Sequence, residues 1–137
     1  MDREAIIRNA ETYATWHFAE ANRVGRTIWV AGQRGFDDRD QISRDPVIQS
    51  RVAFRQLERT LHDAGATLDD VVSLTSYHTD MSHVELFRQV KDEFMRAPYP
   101  AWTIVGVHEL VLPAMLVEIA AIAVAGSGRN PTEHGLR

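Results

Sequence analysis

The chain has 137 residues and 45% hydrophobic side chains, enough for one domain with an ordinary core. A net charge of −4 argues against a nucleic-acid surface, which shows as a basic face, and no apolar run is long enough for a membrane-spanning helix. The absence of cysteine removes disulfides, thiolate catalysis and thiolate metal sites, and the acid-bearing start MDREAII lacks the apolar region of a secretory signal, so a cytoplasmic protein is expected.

Arg3 to Thr15 is weakly patterned and reads as an extended or short helical lead-in. Trp16 to Asn22 and Arg26 to Gln33 are apolar-rich segments either side of Arg23, Val24 and Gly25, the pattern of a β-hairpin with glycine where the backbone needs unusual angles. Gly32 to Gly35 breaks that pattern, and the run of Asp37, Asp38, Arg39 and Asp40 is too dense in charge for a core element. Its acids lack the central Gly and terminal Glu of a helix-loop-helix calcium loop.

Asp45-Pro46 is a helix start. Ile48, Val52, Phe54, Leu57, Leu61 and Ala64 then recur at helical spacing until Gly65. Arg51, Arg55 and Arg59 fall on one face of this helix among acids and read as a solvated face. Val71 to Thr79 alternates as a strand. Ser82 and Glu85 have capping-box spacing, and Val84, Phe87, Val90, Lys91 and Phe94 form a stripe in which Lys91 covers its neighbours with its stem, until Pro98 and Pro100 forbid helix. A strand from Ala101 to Val107, a loop through Pro113 and a last strand complete the domain at residues 1–125, and the polar, unperiodic tail at 126–137 reads as disordered. The order β-β-α-β-α-β-β, with hairpins at both ends, implies an α+β sandwich whose sheet carries two helices on one face. Trp29, Val30, Ile104, Val117 and Ile119 supply more apolar strand surface than two helices cover, which implies a closed homo-oligomer.

The last strand carries the oddest residue. Glu118 stands alone within Met115 to Val124, a run that reads as a central strand covered on both faces. Alternation puts it with Leu116, Ala120 and Ile122, opposite Val117, Ile119 and Ala121. A buried carboxylate is costly unless it finds a donor or takes up a proton. Glu118 is therefore either an architectural partner for an arginine or backbone amide, or a general acid or water-orienting group at a pocket wall, with a raised proton affinity suited to chemistry near neutral pH. The six histidines show no metal-ligand spacing, although His78 and His108 are placed where either can line a cleft. No glycine-rich phosphate loop or nucleophile elbow is present, so neither metal nor cofactor is expected.

Several segments carry a family resemblance when taken together: Val24-Gly25 leading to WVAGQ at Trp29 to Gln33, AGATLDDVV at Ala64 to Val72, HTDMS at His78 to Ser82, PYPAW at Pro98 to Trp102, and LVEIAAIA at Leu116 to Ala123. From about Trp16 to Val124 the chain resembles the Rid family (YjgF type) of reactive-intermediate deaminases, trimeric proteins that hydrolyse enamines and imines to carbonyl compounds and ammonia. The resemblance implies a chorismate-mutase-like α+β subunit, three of which close a central barrel, with small-molecule clefts between neighbours. It puts Glu118 on the family's strand carboxylate, which positions or protonates the attacking water. Gly32, beside Gln33, falls on a cleft-lining backbone position, and Phe18 falls where a Tyr is usual.

Trp102 departs from the family pattern. Deaminating members carry an Arg there, just after Pro-Ala, whose guanidinium forks onto a substrate carboxylate. Arg88 stands where Asn is frequent and Arg34 where an apolar residue is usual, so each is either a displaced cation or a surface residue. Without either, the expected ligand is an aromatic or neutral group stacked on Trp102 rather than a 2-imino acid anion. Two functions follow: a Rid-like hydrolase of a carbon–nitrogen double bond using Glu118, or a non-catalytic ligand-binding or chaperone-like trimer. The ribonuclease label often attached to the family is disfavoured by the acidic charge and the lack of a histidine pair.

Overall fold

Strands Arg3–Ile6 (β1), Ala21–Val24 (β2), Thr27–Arg34 (β3), Val71–His78 (β4), Ala101–Gly106 (β5) and Val117–Val124 (β6) make one sheet in the computed structural model, which describes residues 1–135. Helices Ala10–Trp16 (α1), Pro46–Asp63 (α2) and Val84–Phe94 (α3) connect them. The strand order is β1-β2-β3-β6-β4-β5. The last strand in sequence is thus inserted at the centre, antiparallel to both β3 and β4.

The α+β architecture, with α2 and α3 on one sheet face, agrees with the expectation from the sequence, and several details differ. The lead-in holds both a strand and a helix. Asn9 caps α1 and His17 ends it in the left-handed conformation (φ 60°), so Trp16 is the end of a helix and β2 begins only at Ala21. The expected C-terminal hairpin is absent, because β5 pairs parallel with β4 across α3 while β6 crosses to the other side of β4. A parallel pair needs a crossover helix, and α3 supplies it. Finally, Ser82 does not cap α3. Asp80 accepts from the Ser82 amide at 2.9 Å and its hydroxyl at 2.6 Å, opening a short 3-10 turn that delays the helix to Val84, while Glu85 turns to Arg88.

The other boundary signals act as expected. Asp45 accepts from Val47 and Ile48 amides at 2.8 and 3.1 Å, Pro46 opens α2, and Gly65 leaves it with φ +86°. The buried face of α2 runs through Gln49, Ala53, Phe54, Leu57 and Leu61, whereas Ile48 is exposed at the first turn. Arg51 and Arg59 lie on the solvated side, paired with Glu93 and Asp38. Phe54 stacks on Phe94 and leans on Phe87, joining α2 to α3 over the sheet. Val117, Ile119, Ala121 and Ala123 of β6 are buried beneath the helices, while the alternate residues from Glu118 to Val124 lie half-buried on the opposite face. Both faces of β6 were expected to be covered, and in the single chain only one is. After Ala125 the chain returns to the domain, with the Gly128 amide donating to Asp70 Oδ1 at 2.9 Å. Leu136 and Arg137 lie outside the described residues.

A fully buried amide ties these layers together. Gln49 Oε1 accepts from the Leu116 and Val117 amides at 2.6 and 3.2 Å, and its Nε2 donates to the carbonyls of Ser43 and Ala114 at 2.8 and 3.1 Å. One side chain thus holds the segment entering β6 against α2, and Gly35 makes room for it, since a Cβ at Gly35 would run into Gln49. Gln49→Leu keeps the volume and strands two donors and two acceptors, at ~1–3 kcal/mol for a buried unsatisfied group. We expect urea denaturation to show a loss of about 3 kcal/mol or more on that scale, and a loss under about 1 kcal/mol would contradict this role.

Candidate active site

Antiparallel register sets Glu118 opposite Arg34 of β3 on one side and Tyr77 of β4 on the other. Directly opposed residues share a face, so Arg34, Glu118 and Tyr77 form a row across the side of the sheet away from the helices. The row depends on an irregularity in β3. Val30 pairs with Ala121 and Gln33 with Ile119, so Ala31 and Gly32 together oppose Ala120 alone. This is a bulge, the device by which strands re-aim side chains next to sites. It returns Gln33 to the helix side and lets Arg34 face the same way as Glu118.

Gly32 is where the carboxylate rests. A Cβ there would lie 2.5 Å from Glu118 Oε1 and 2.6 Å from its Cδ, so no residue with a side chain fits without moving Glu118. Burial pushes the Glu118 carboxyl above the usual carboxylate range, and the Arg34 guanidinium pulls it part of the way back. The arginine itself lies over the Phe36 ring at 5.5 Å, which leaves the acid half-buried and able to hold or release a proton.

Beside this row Gly32, Gln33 and Arg34 line a recess of ≈ 210 Å³ together with Phe18, Glu20, Arg8 and Gln56 of α2. Phe18 reaches it because α1 stops at the left-handed His17, and the residue is 40% exposed. Gln33 is almost fully buried. Its side chain is buried, donating to the Ala31 carbonyl at 3.0 Å and accepting from the Thr60 hydroxyl at 3.1 Å. Arg8 is engaged with Thr60, Gln56 and Asp63.

Trp102 and Arg88 belong to a different place. Trp102 faces the helix layer, its ring 5.8 Å from that of Phe87, and its Nε1–H donates to Ser76 Oγ at 2.9 Å. Ser76 Oγ also lies 2.8 Å from His78 Nε2. Indole is a donor only, so the serine oxygen accepts from Trp102 and shares its second contact with the imidazole. Burial pushes His78 below the ordinary imidazole range, with His83 adding to the effect. Arg88 is spent on Glu85 at 2.5 Å and Asp92 at 2.7 Å along its own helix. Of the residues singled out from sequence, Phe18, Gly32, Gln33 and Arg34 line one recess, Glu118 lies against Gly32 and opposite Arg34, and Arg88 and Trp102 lie apart from them.

Sequence reasoning missed Gln49, Tyr77, Ser76 and the whereabouts of the Lys91 ammonium. The Lys91 stem does cover the α3 stripe, but its Nζ ends 5.0 Å from the Trp102 ring centre and 5.2 Å from that of Tyr99. A lysine at an apolar position of a helix was the available signal. Among the described residues no three His, Asp or Glu side chains gather as metal ligands.

The profile of the family described as Endoribonuclease L-PSP matches residues 8–125. The RutC family protein YjgH of Escherichia coli K12 is 41% identical over 97 residues, covering 69% of this chain and 74% of that one. A 2-iminobutanoate/2-iminopropanoate deaminase of Dermatophagoides farinae is 30% identical over 109 residues, covering 78% of this chain and 84% of its own. The crystal structure of Rv2704 from Mycobacterium tuberculosis, described as a member of the YjgF/YER057c/UK114 family, superposes with a TM-score of 0.82 at 32% identity, covering 90% of this chain and 100% of that one. Matched along nearly its whole domain in sequence and in strand topology, the chain belongs to the Rid (YjgF) family, the group whose profile bears the Endoribonuclease L-PSP description.

Proposed function

We propose that this protein hydrolyses an imine or enamine, with Glu118 orienting or protonating the attacking water. The observation that carries the reading is the Glu118 carboxylate, held against Gly32 on the open side of the sheet with its proton affinity raised by burial. Water adds to the imine carbon to give a carbinolamine, then the carbon–nitrogen bond breaks, leaving a carbonyl compound and ammonia that departs with a proton. A carboxyl group whose pKa is moved toward neutrality can pass that proton in both steps. The 30% identical 2-iminobutanoate/2-iminopropanoate deaminase supports this reaction class for a relative.

Glu118 and the Trp102 cluster lie on opposite faces of the sheet, and the family resemblance implies clefts between neighbouring copies. We therefore take the active unit to be a homotrimer in which the Glu118 side of one copy meets the Trp102 side of the next. The open sheet face supports this: Trp29 is 47% exposed and pairs with half-buried Ile122, an apolar surface that favours a partner. Light scattering is expected to give three times the 15.5 kDa chain mass, and a stable monomer at micromolar concentration contradicts the shared cleft.

Glu118→Gln is expected to lower ammonia release from freshly generated 2-iminobutanoate about 10²–10⁴-fold while the assembly persists. Wild-type turnover unaffected by this change would end the proposed role. Absence of turnover in the wild type, with thermal stabilisation by an aromatic ligand, would favour the non-catalytic binder. The same variant has a pH signature in stability. The folded protein holds the Glu118 proton above the ordinary value of 4.5, so that group's contribution is present below this value and is lost as pH rises through the folded-state pKa. The stability of Glu118→Gln relative to wild type should therefore improve with rising pH across that window, as read by thermal melts. Gly32→Ala pushes Glu118 aside, and a displacement of ~1 Å costs about 10²-fold in rate. Its kcat should fall in that range with little change in melting temperature.

A further inference from the structure

The chain holds fifteen basic residues, of which fourteen are arginine and Lys91 alone is lysine. This single ammonium is placed unusually. Lys91 sits within the buried stripe of α3 at 5% exposure, and its Nζ faces the π systems of Trp102 and Tyr99. The adjacent Asp92 places an oxygen 2.7 Å from Arg88, and no carboxylate among the described residues forms an ion pair with Lys91. A cation on aromatic faces recovers only part of what an ion loses on leaving water. The ammonium is thus partly dehydrated, with donors left over, below a rim where Tyr99 is 61% exposed and Ala101 open to solvent.

Trp102 itself offers an anion nothing, since its only donor is committed to Ser76. Arg88 is neutralised from both sides along α3. We propose that Lys91 is the specificity-determining cation of this protein: its ammonium, seated on the Trp102 ring, takes the carboxylate of an anionic substrate where Trp102 itself offers no charge. This rests on the hydrolase reading above and on the Trp102 cluster bordering the shared cleft. It also reverses the expectation from sequence that a tryptophan here selects a neutral or aromatic ligand, because the charge is carried by a neighbouring side chain instead. Burial pushes the Lys91 pKa down and the nearby Asp92 brings it part of the way back, which is consistent with an ammonium short of water.

The test compares wild type with Lys91→Met and Lys91→Arg in the full chain. Met suits an apolar helix stripe and Arg restores the charge, so melting temperature and assembly mass show that each variant folds. With 2-iminopropanoate, Lys91→Met should raise KM about tenfold or more with kcat changed far less, since a carboxylate contact present before and during reaction is uniform binding. Lys91→Arg should recover most of the loss, and the neutral 2-iminopropanamide should show the same KM in all three proteins. Independently of turnover, 2-oxobutanoate should stabilise wild type and Lys91→Arg thermally but not Lys91→Met, with neutral butanone inert throughout. Equal effects of Lys91→Met on the anionic and neutral imines, or thermal stabilisation by 2-oxobutanoate that survives Lys91→Met, overturn the proposal. If the wild type hydrolyses neither imine, the hydrolase reading fails, and the 2-oxobutanoate melts still decide whether Lys91 binds carboxylate.

Discussion

The primary amide of Gln49 is the contact on which the placement of the central strand depends. It lies in the dry layer between helix and sheet, where an unmatched polar atom is costly, and all four of its bonds go to main chain of segments far apart in sequence. The residues after Ala114 are registered against α2 by these bonds as they turn into β6. Fixing Leu116 and Val117 fixes the phase of the alternation that follows. A slip of one residue would send Glu118 into the helix layer and Ile119 into the open. The same amide explains why Gly35 lacks a side chain, since the two compete for one volume.

Around that registered strand, the site is a balance between burial and charge. Glu118 is kept on the half-open face, close enough to Arg34 for its charged form to be eased but without an ion pair that would hold it ionised. The bulge at Ala31 and Gly32 makes both features possible, because it moves Arg34 into line and removes the Cβ that would occupy the carboxylate's position. An apolar strand with one imperfectly compensated acid gives up some stability locally, a cost that proteins concentrate where chemistry is done.

The cluster on the helix side is built differently. Its polar groups are nearly all matched: indole to serine, serine with imidazole, arginine to two carboxylates. Lys91 is the exception, a full charge set against rings. One cluster thus holds an acid on the open face and the other a cation beneath aromatic cover, complementary in charge and on opposite sides of one sheet.

Much of this was legible in the residues. The apolar periods, the Asp-Pro and Gly boundaries of α2 and the alternation through Glu118 are local, and local signals survive folding because they act within a turn or a pair of residues. The segments WVAGQ, PYPAW and LVEIAAIA, read in order, reached the family and hence the α+β fold. Capping at Ser82 failed because Asp80, two residues earlier, competes for the same amide and hydroxyl, and the hairpin at the C-terminal end failed because strand neighbours are chosen by long-range pairing. The sequence alone determined which side chains are unusual: a solitary acid in an apolar strand, a tryptophan in place of an arginine, a single lysine in a helix stripe. Only the tertiary structure decided what each one faces, because that depends on the insertion of β6 between β3 and β4, on the bulge that aligns Arg34, and on the packing that lays the Lys91 ammonium against Trp102, contacts between residues that no local spacing relates.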